Sequence, residues 1–134
     1  VLPEIISKEP LGPVVRQGDA QWFNIVKWTY YALLNAEELG VTSANVDQMK
    51  TSENPEIQRM LSVKVKNPDG TEADNDFGKG ISLGPDWAYN IIKQVGNYGE
   101  IFERNVGQST DLKIARGKNA LWNQGGLQYA PPIR

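Results

Sequence analysis

The chain has 134 residues, of which 40% are hydrophobic and 22% are charged, and its formal net charge is -2. This length is typical of one domain, and folding can bury roughly two-thirds of the surface that the extended chain exposes. The 14 Lys and Arg residues are scattered among 16 Asp and Glu residues. We therefore expect no basic surface for nucleic acid, and no apolar run approaches the ~20 residues that span a bilayer.

Histidine and cysteine are both absent from the sequence. Their absence excludes Ser-His and Cys-His nucleophile systems, zinc sites built from thiolates or imidazoles, and disulfides. A cysteine-free chain is compatible with reducing and oxidising compartments alike, so the absence of cysteine does not identify the cellular compartment. The chain begins at Val1 with neither an initiator Met nor a signal sequence, from which we expect that another segment precedes it.

Residues 1–18 contain three prolines and two glycines around the apolar pairs Ile5-Ile6 and Val14-Val15. Proline cannot donate to a β ladder, so this stretch is expected to be extended backbone with short strands at most. Within this stretch, residues 14–17 could form a short edge strand that pairs with another strand on one side.

A long helix is predicted after Asp19, which is a favourable N-cap residue. Apolar residues recur at helical spacing on two adjoining faces, so the helix is expected to pack on two sides. The first face carries Trp22, Val26, Thr29, Leu33 and Ala36, and the second carries Ile25, Trp28, Ala32 and Leu39. Gly40 is expected to end the helix as a left-handed C-cap, followed by apolar Val41.

Two shorter helices are predicted next, the first capped by Thr42 or Ser43 and the second opened by residues 54–56. The inward residues of the second helix are expected to be Ile57, Met60 and Leu61. The chain then becomes polar between residues 62 and 84. Alternation over residues 63–66 before Asn-Pro-Asp-Gly predicts a short strand, a turn and then a flexible loop.

Two further helices and an irregular tail complete the expected organisation. The first helix opens at Pro85 and stops at Gly96, and the second covers residues 97–105. Their expected inward residues are Ala88, Ile91, Ile92 and Val95, followed by Tyr98, Ile101 and Phe102. Glycines and prolines between residues 107 and 132 predict a tail wrapped on the body, with a helical turn near Leu121.

Two segments resemble binding loops. Residues 78–84 read GKGISLG, but the third glycine is one place late for a dinucleotide fingerprint and no buried strand precedes it. Asp74, Asn75 and Asp76 suggest calcium ligands, yet their spacing fails the twelve-residue loop pattern and no Glu ends it. A flexible loop and a solvated acidic loop are the favoured interpretations.

The paired carboxylates Glu37 with Glu38 and Glu100 with Glu103 are interpreted as exposed helix charges, because the sequence identifies no polar pocket beside them. No nucleophile pattern such as Ser-x-x-Lys surrounds Ser7, Ser62 or Ser82. The sequence therefore predicts no catalytic residue, no metal ligand and no cofactor.

The tryptophans are weighed between core packing and ligand stacking. Trp22, Trp28 and Trp87 occupy helical positions that suit a core, so packing is favoured. Trp122 and Tyr129 lie in the glycine-rich tail, where both interpretations stay open.

Four blocks of the sequence resemble one family. Residues 9–19, EPLGPVVRQGD, are similar to the Gly-x-x-x-Arg-x-Gly-Asp segment with which polar-amino-acid solute-binding proteins return from their second lobe to their first. Residues 96–107, GNYGEIFERNVG, are similar to the Gly-x-Tyr-x-x-Ile-Phe element near the end of those proteins. Residues 22–40 and the tail 120–132 resemble the general L-amino-acid-binding proteins of Gram-negative bacteria.

This resemblance implies a predominantly α chain with short strands, which forms the C-terminal part of a two-lobed α/β periplasmic-binding-protein (type II) fold. Such a receptor closes like a hinge on its ligand. Residues 1–18 would be the hinge or return segment with its strand, and residues 19–107 the helical part of the first lobe with a flexible loop at 62–84. Residues 108–134 would be a tail packed on that lobe.

The resemblance further implies a periplasmic receptor, without enzymatic activity, that captures L-amino acids and delivers them to an ABC importer. Its partners would be the missing N-terminal portion of the same receptor, an L-amino acid, and the ABC permease in the inner membrane. The main ligand contacts are expected outside this chain. Ser7, Lys8, Glu9 and Pro10 are the candidate hinge, because proline fixes extended backbone there.

Two alternatives stay open. The chain could be an independent helical module whose aromatic surface binds another protein, which a single cooperative unfolding transition of a monomer would favour. It could also be a receptor lobe fused to a catalytic or signalling domain, which would lie outside these residues.

Overall fold

The computed structural model describes residues 11–61 and 64–133. In these residues the chain forms α1 (Ala20–Glu38), α2 (Val46–Met49), α3 (Pro55–Leu61), α4 (Phe77–Gly80), α5 (Trp87–Val95), α6 (Tyr98–Val106), and the strands β1 (Lys64–Lys66) and β2 (Glu72–Asp74). Two 3-10 turns follow at Gly117–Asn119 and Trp122–Gln124. The prediction of a predominantly helical chain with short strands is confirmed.

Helix α1 begins and ends at the predicted residues. A side-chain oxygen of Asp19 accepts a hydrogen bond from the backbone N–H of Trp22 at 2.9 Å, which satisfies one of the free donors of the first turn. At the other end Gly40 has a φ of 68°, and the N–H of Val41 donates to the carbonyl of Ala36 at 2.8 Å. The helix therefore ends in a left-handed cap.

Helix α1 packs on two sides, as its wide apolar arc predicts. On one side Ala32 and Ala36 contact the main core, whose other buried residues are Val41, Val46, Ile57, Met60, Leu61, Ile81, Trp87, Ala88, Ile92 and Ile133. On the other side Leu34 packs against Leu121 and Ala130 of the tail. Leu34 is absent from both predicted faces, because the tail that covers it is remote in sequence.

The segment predicted as strand, turn and loop contains more regular structure than expected. Strand β1 pairs antiparallel with β2, with Val65 opposite Ala73, and the N–H of Asn67 donates to the carbonyl of Thr71 at 2.8 Å to close the hairpin. Strand β2 and helix α4 occupy part of the expected loop. Three-residue and four-residue elements are too short to produce a periodic pattern in the sequence.

Helices α5 and α6 follow the predicted order with differences in burial. Helix α5 begins at Trp87, after a turn that contains Pro85. Ala88 and Ile92 are fully buried, whereas Val95 is exposed and its predicted inward position is wrong. Burial follows the i,i+4 pair, and Val95 lies in the last turn, beyond the core.

Residues 11–16 have no strand pairing among the described residues, so the pairing expected at residues 14–17 is not found there. The second expected strand, at Ile5 and Ile6, lies outside the described residues. None of the described helices has both the length and the apolar character that a membrane span requires.

Candidate functional site

The candidate hinge residues Ser7, Lys8, Glu9 and Pro10 lie outside the described residues, so their role stays a prediction. The structure instead describes the segment that follows them and its entry into α1. Gly18 there has a φ of 91°, a conformation that glycine adopts without strain, immediately before the cap residue of α1.

An exposed apolar surface covers residues 11–23. The side chains of Leu11 and Val14 are almost fully exposed, and Trp22 and Phe23 are about half exposed. Val14 and Phe23 line the same open groove. Fully burying an apolar side chain of this size gains about 1.5–3 kcal/mol, so this surface has the chemistry of an interface with another part of a protein.

The three helical tryptophans divide between core and surface. Trp87 is buried in the main core. Trp28 is partly buried and packs against the same core, and its ring centroid lies 4.6 Å from that of Phe77. Trp22 is 51% exposed, so its predicted core position is wrong for the described chain. Helical periodicity identifies a face, but the first turn of α1 extends past the core that covers the rest of that face.

An ion pair joins the tail to α1. Arg116 Nη1 lies 2.9 Å from Glu37 Oε1, and Arg116 Nη2 donates to Glu37 Oε2 at 3.1 Å. The same guanidinium donates to the carbonyl of Asn119 and lies over the rings of Tyr98 and Phe102, about 5 Å from each centroid. Glu37 was predicted to be an exposed helix charge, and this is wrong because Arg116, distant in sequence, folds over it.

A close approach at Gly99 makes room for this ion pair. A Cβ atom at Gly99 would lie 3.0 Å from Arg116 Nη1 and 3.0 Å from the carboxylate carbon of Glu37. Gly99, the second glycine of the Gly-x-Tyr-Gly sequence, therefore lets α6 lie directly beside the ion pair.

Glu100 is the second carboxylate that was predicted to be an exposed helix charge but is partly buried in the structure. Its side chain accepts from the hydroxyl of Ser43 at 2.7 Å and from the backbone N–H of Asn97 at 2.8 Å. Asn97 accepts in return from the backbone N–H of Glu100, which makes a capping box at the start of α6. The side-chain amide of buried Asn97 also donates to the carbonyl of Val41, so the start of α6 is tied to the end of α1.

The environment of Glu100 changes its pKa. Burial alone would raise this pKa, but hydrogen bonds from Ser43 and from the backbone N–H of Asn97, with the nearby charge of Arg104, together lower it. Glu38 and Glu103, the other members of the two predicted pairs, are exposed as expected. The two partly buried carboxylates, Glu37 and Glu100, thus have structural partners.

The tail also contacts α1 through polar groups on its other side. The hydroxyl of Tyr30 donates to Gln128 Oε1 at 2.5 Å, and the side-chain amide of Asn35 donates to the carbonyl of Pro131 at 2.9 Å. Burial raises the pKa of Tyr30 to about 12. Trp122 Nε1 donates to Glu38 Oε1 at 3.2 Å. These bonds position the tail over Leu34 and hold the aromatic residues of the tail beside the end of α1.

The glycine-rich segment 78–84 closes on itself. The N–H of Leu83 donates to the carbonyl of Gly78 at 2.8 Å, and a Cβ at Gly78 would lie 2.3 Å from the carbonyl oxygen of Gly84 and 2.8 Å from Trp87 Cδ1. Gly78 is therefore needed for packing, and the segment does not have the open helix N-terminus of a phosphate-binding loop.

The acidic segment 74–76 is held by the hairpin and its neighbours. Asp74 lies 3.7 Å from Lys64 across the hairpin, and the side-chain amide of Asn75 donates to the carbonyl of Arg59 at 2.5 Å. Among the described residues no three acidic side chains converge as a metal site would require. Of the three serines considered, Ser82 is exposed, and Ser7 and Ser62 lie outside the described residues.

Several known proteins are similar to this chain along almost all of its length. The general L-amino acid-binding periplasmic protein AapJ of Rhizobium johnstonii is 66% identical to this chain over 134 residues, and the putative amino-acid ABC transporter-binding protein YhdW of Escherichia coli K12 is 59% identical. The glutamate/glutamine/aspartate/asparagine-binding protein BztA of Rhodobacter capsulatus is 53% identical over 135 residues. A solved ABC transporter periplasmic binding protein from Brucella ovis, with glutathione bound, is 60% identical, with a TM-score of 0.88 over 99% of this chain.

Along its whole length the chain is similar, in sequence and in fold, to the C-terminal part of amino-acid-binding periplasmic proteins. It spans 37% of the length of each of these curated relatives and 39% of the Brucella ovis chain. No family model matches the sequence. The resemblance that the four sequence blocks carry is confirmed, and the fold prediction with it.

Proposed function

We propose that this chain is the C-terminal part of a periplasmic receptor that captures L-amino acids and delivers them to an ABC importer. The observation that carries the proposal is identity of 53–66% along the whole chain to periplasmic amino-acid-binding proteins. A relative at 60% identity with a TM-score of 0.88 supports the same assignment through its fold.

In this proposal, residues 1–18 return the chain from the second lobe to the first, with Ser7, Lys8, Glu9 and Pro10 as the hinge. Residues 19–107 form the helical part of the first lobe, and residues 108–134 form its tail. The exposed apolar surface of residues 11–23 supports this arrangement. The relatives are longer than this chain, and the part of the receptor that corresponds to their additional length would cover these side chains.

The ligand class follows from what the relatives are named for. Their names mention general L-amino acids and four acidic or amide amino acids, and the Brucella ovis protein holds glutathione. Glutathione carries one free α-ammonium and α-carboxylate pair on its γ-glutamyl end. We infer that the receptor recognises this common head group, through charge-assisted bonds supplied mainly from outside this chain.

The proposed partners are the remaining portion of the receptor, an L-amino acid and an ABC permease in the inner membrane, with no nucleic acid. The proposed location is the periplasm, as in the relatives. We propose no catalytic activity for this chain. The two carboxylate pairs considered in the sequence support this view, since Glu37 and Glu100 each bind structural partners.

Calorimetry on the complete polypeptide that carries this chain tests the proposal. We expect stoichiometric binding of L-amino acids, with weak or no binding of the D-enantiomers and of N-acetylated amino acids, which lack the α-ammonium. Equal binding of acetylated ligands would contradict head-group recognition. No binding of any L-amino acid or of glutathione, in a protein that unfolds cooperatively, would contradict the receptor assignment and favour the interaction-module alternative.

A further inference from the structure

A small pocket opens between the end of α1, the start of α3 and the tail. It lies at the opposite end of α1 from the exposed apolar surface of residues 11–23, and its volume is about 160 Å³. Its buried lining includes Met60, Ala130 and Ile133, its aromatic lining is Trp122 and Tyr129, and its acidic lining is Glu38 and Glu56. The pocket thus combines an apolar floor, aromatic walls and carboxylates.

The aromatic walls are held in place although they are exposed to solvent. The rings of Trp122 and Tyr129 meet edge to face with their centroids 6.0 Å apart, and the two residues are 53% and 64% exposed. The bond from Trp122 Nε1 to Glu38 Oε1 fixes the indole beside a carboxylate. An exposed aromatic pair of fixed geometry is ready to contact a ligand without further ordering.

The charged side chains among the described lining residues of the pocket, Glu38 and Glu56, are both negative. Lys and Arg are absent from the described residues that line it. Neither Glu38 nor Glu56 belongs to an ion pair within residues 11–61 and 64–133. Carboxylates beside aromatic faces attract an organic cation through both the carboxylate charge and the ring quadrupole.

We propose that this pocket receives the side chain of an arginine or lysine that projects from a partner protein. Its volume is below the ~300–1,000 Å³ of sites that hold small-molecule ligands, but a single long side chain fits. The aliphatic stem would lie against the apolar floor while the cationic head meets Trp122 and Glu38. Arginine fits best, because its planar guanidinium stacks on aromatic rings and binds carboxylates with two hydrogen bonds.

The residues that carry this inference do not include any of the candidate hinge residues. All the lining residues that carry the inference belong to the described part of this chain, at the opposite end of α1 from Asp19. Tryptophan, tyrosine and arginine are the residues that most often dominate protein interfaces, which agrees with a docking role for this corner of the tail.

The test is a titration of the complete receptor polypeptide, with its tryptophan indoles labelled with ¹⁵N, by a short arginine peptide blocked at both ends. Blocked termini keep the peptide out of an amino-acid site, and Trp122→Phe identifies the indole resonance. The matched peptide carries citrulline, which has the same shape without the charge. We expect the Trp122 resonance to shift with the arginine peptide and to stay unchanged with the citrulline peptide.

Glu38→Gln and Glu56→Gln should each weaken the apparent affinity about threefold or more, as expected for loss of one partly exposed ion pair. Glu72→Gln, which removes an exposed carboxylate from β2, should leave it unchanged. Equal shifts with citrulline, unchanged affinity in both pocket variants, or no shift in a well-folded sample would overturn the proposal. Amino-acid binding measured on the same sample reports separately on the receptor function.

Discussion

The guanidinium of Arg116 is paired with the carboxylate of Glu37 across 79 positions of sequence: Nη2 donates a hydrogen bond to Oε2 at 3.1 Å, and Nη1 lies 2.9 Å from Oε1. Only 25% of the Arg116 side chain and 12% of the Glu37 side chain are exposed. The pair is therefore poorly screened by solvent, and its hydrogen bond joins two charged groups. It adds a charged contact to the hydrogen bonds by which Tyr30 and Asn35 also attach the tail to α1.

Arg116→Met should lower the free energy of unfolding by about 2 kcal/mol, because the mostly buried Glu37 would be left without its charged donor. Urea unfolding of the variant, with Glu37→Gln and the double variant completing a cycle, measures the coupling. Lys64→Met is the matched control, since Lys64 and Asp74 are 59% and 73% exposed. It should cost below about 0.5 kcal/mol, and an equal loss in both variants would contradict the special role of Arg116.

Gly126→Ala should destabilise the tail more strongly than any other small substitution in it. A Cβ at Gly126 would lie 1.8 Å from the carbonyl oxygen of Ala120, so the backbone must move. We expect a loss of about 2 kcal/mol or more, as for overpacked sites. Gly80→Ala is the control, because a Cβ there meets no atom within 4 Å. Thermal melts of the two variants should separate clearly, and coincident melts would show that the tail adapts.

Stability should depend on the ionisation of Glu100. Because the hydrogen bonds from Ser43 and Asn97 outweigh burial and lower its pKa in the folded chain, the stabilising contribution is complete above the ordinary Glu pKa of about 4.3. It is lost as the pH falls through the lower, folded-state pKa. Glu100→Gln should therefore be less stable than the native chain at neutral pH, and the difference should shrink below about pH 4. Denaturant unfolding at several pH values measures this, and a difference that is independent of pH would contradict it.

Asp19→Ala should weaken α1 by about 1 kcal/mol through loss of its N-cap bond. Asp19→Asn, which keeps an accepting oxygen, should recover most of this loss. We expect no direct effect of either variant on ligand contacts. A large loss of amino-acid affinity in the complete receptor at unchanged stability would assign Asp19 a different role.

Local signals in the sequence predicted the local structure well. Asp19 and Gly40 delimit α1 as their capping preferences indicate, and the inward positions predicted for α3 are all buried. These features depend on neighbours within one or two turns, which a single sequence displays.

Contacts between remote segments were not predictable in the same way. Glu37 and Glu100 look like ordinary helix charges until Arg116 and Ser43 fold against them. Leu34 is buried only because the tail returns to it. The glycines at Gly99 and Gly126 are the one local hint of such close approaches, but a glycine does not identify the segment that approaches it.

Calorimetric titration with L-amino acids tests most directly whether this chain is one part of a two-lobed receptor. The isolated 134-residue chain should bind no better than millimolar, because a zwitterion must have both of its charges paired when it leaves water, and one lobe cannot enclose it. The complete polypeptide should bind far more tightly, toward the micromolar range that requires about 8 kcal/mol. Stoichiometric micromolar binding by the clean isolated chain would place a complete site within these residues and contradict the receptor-part assignment.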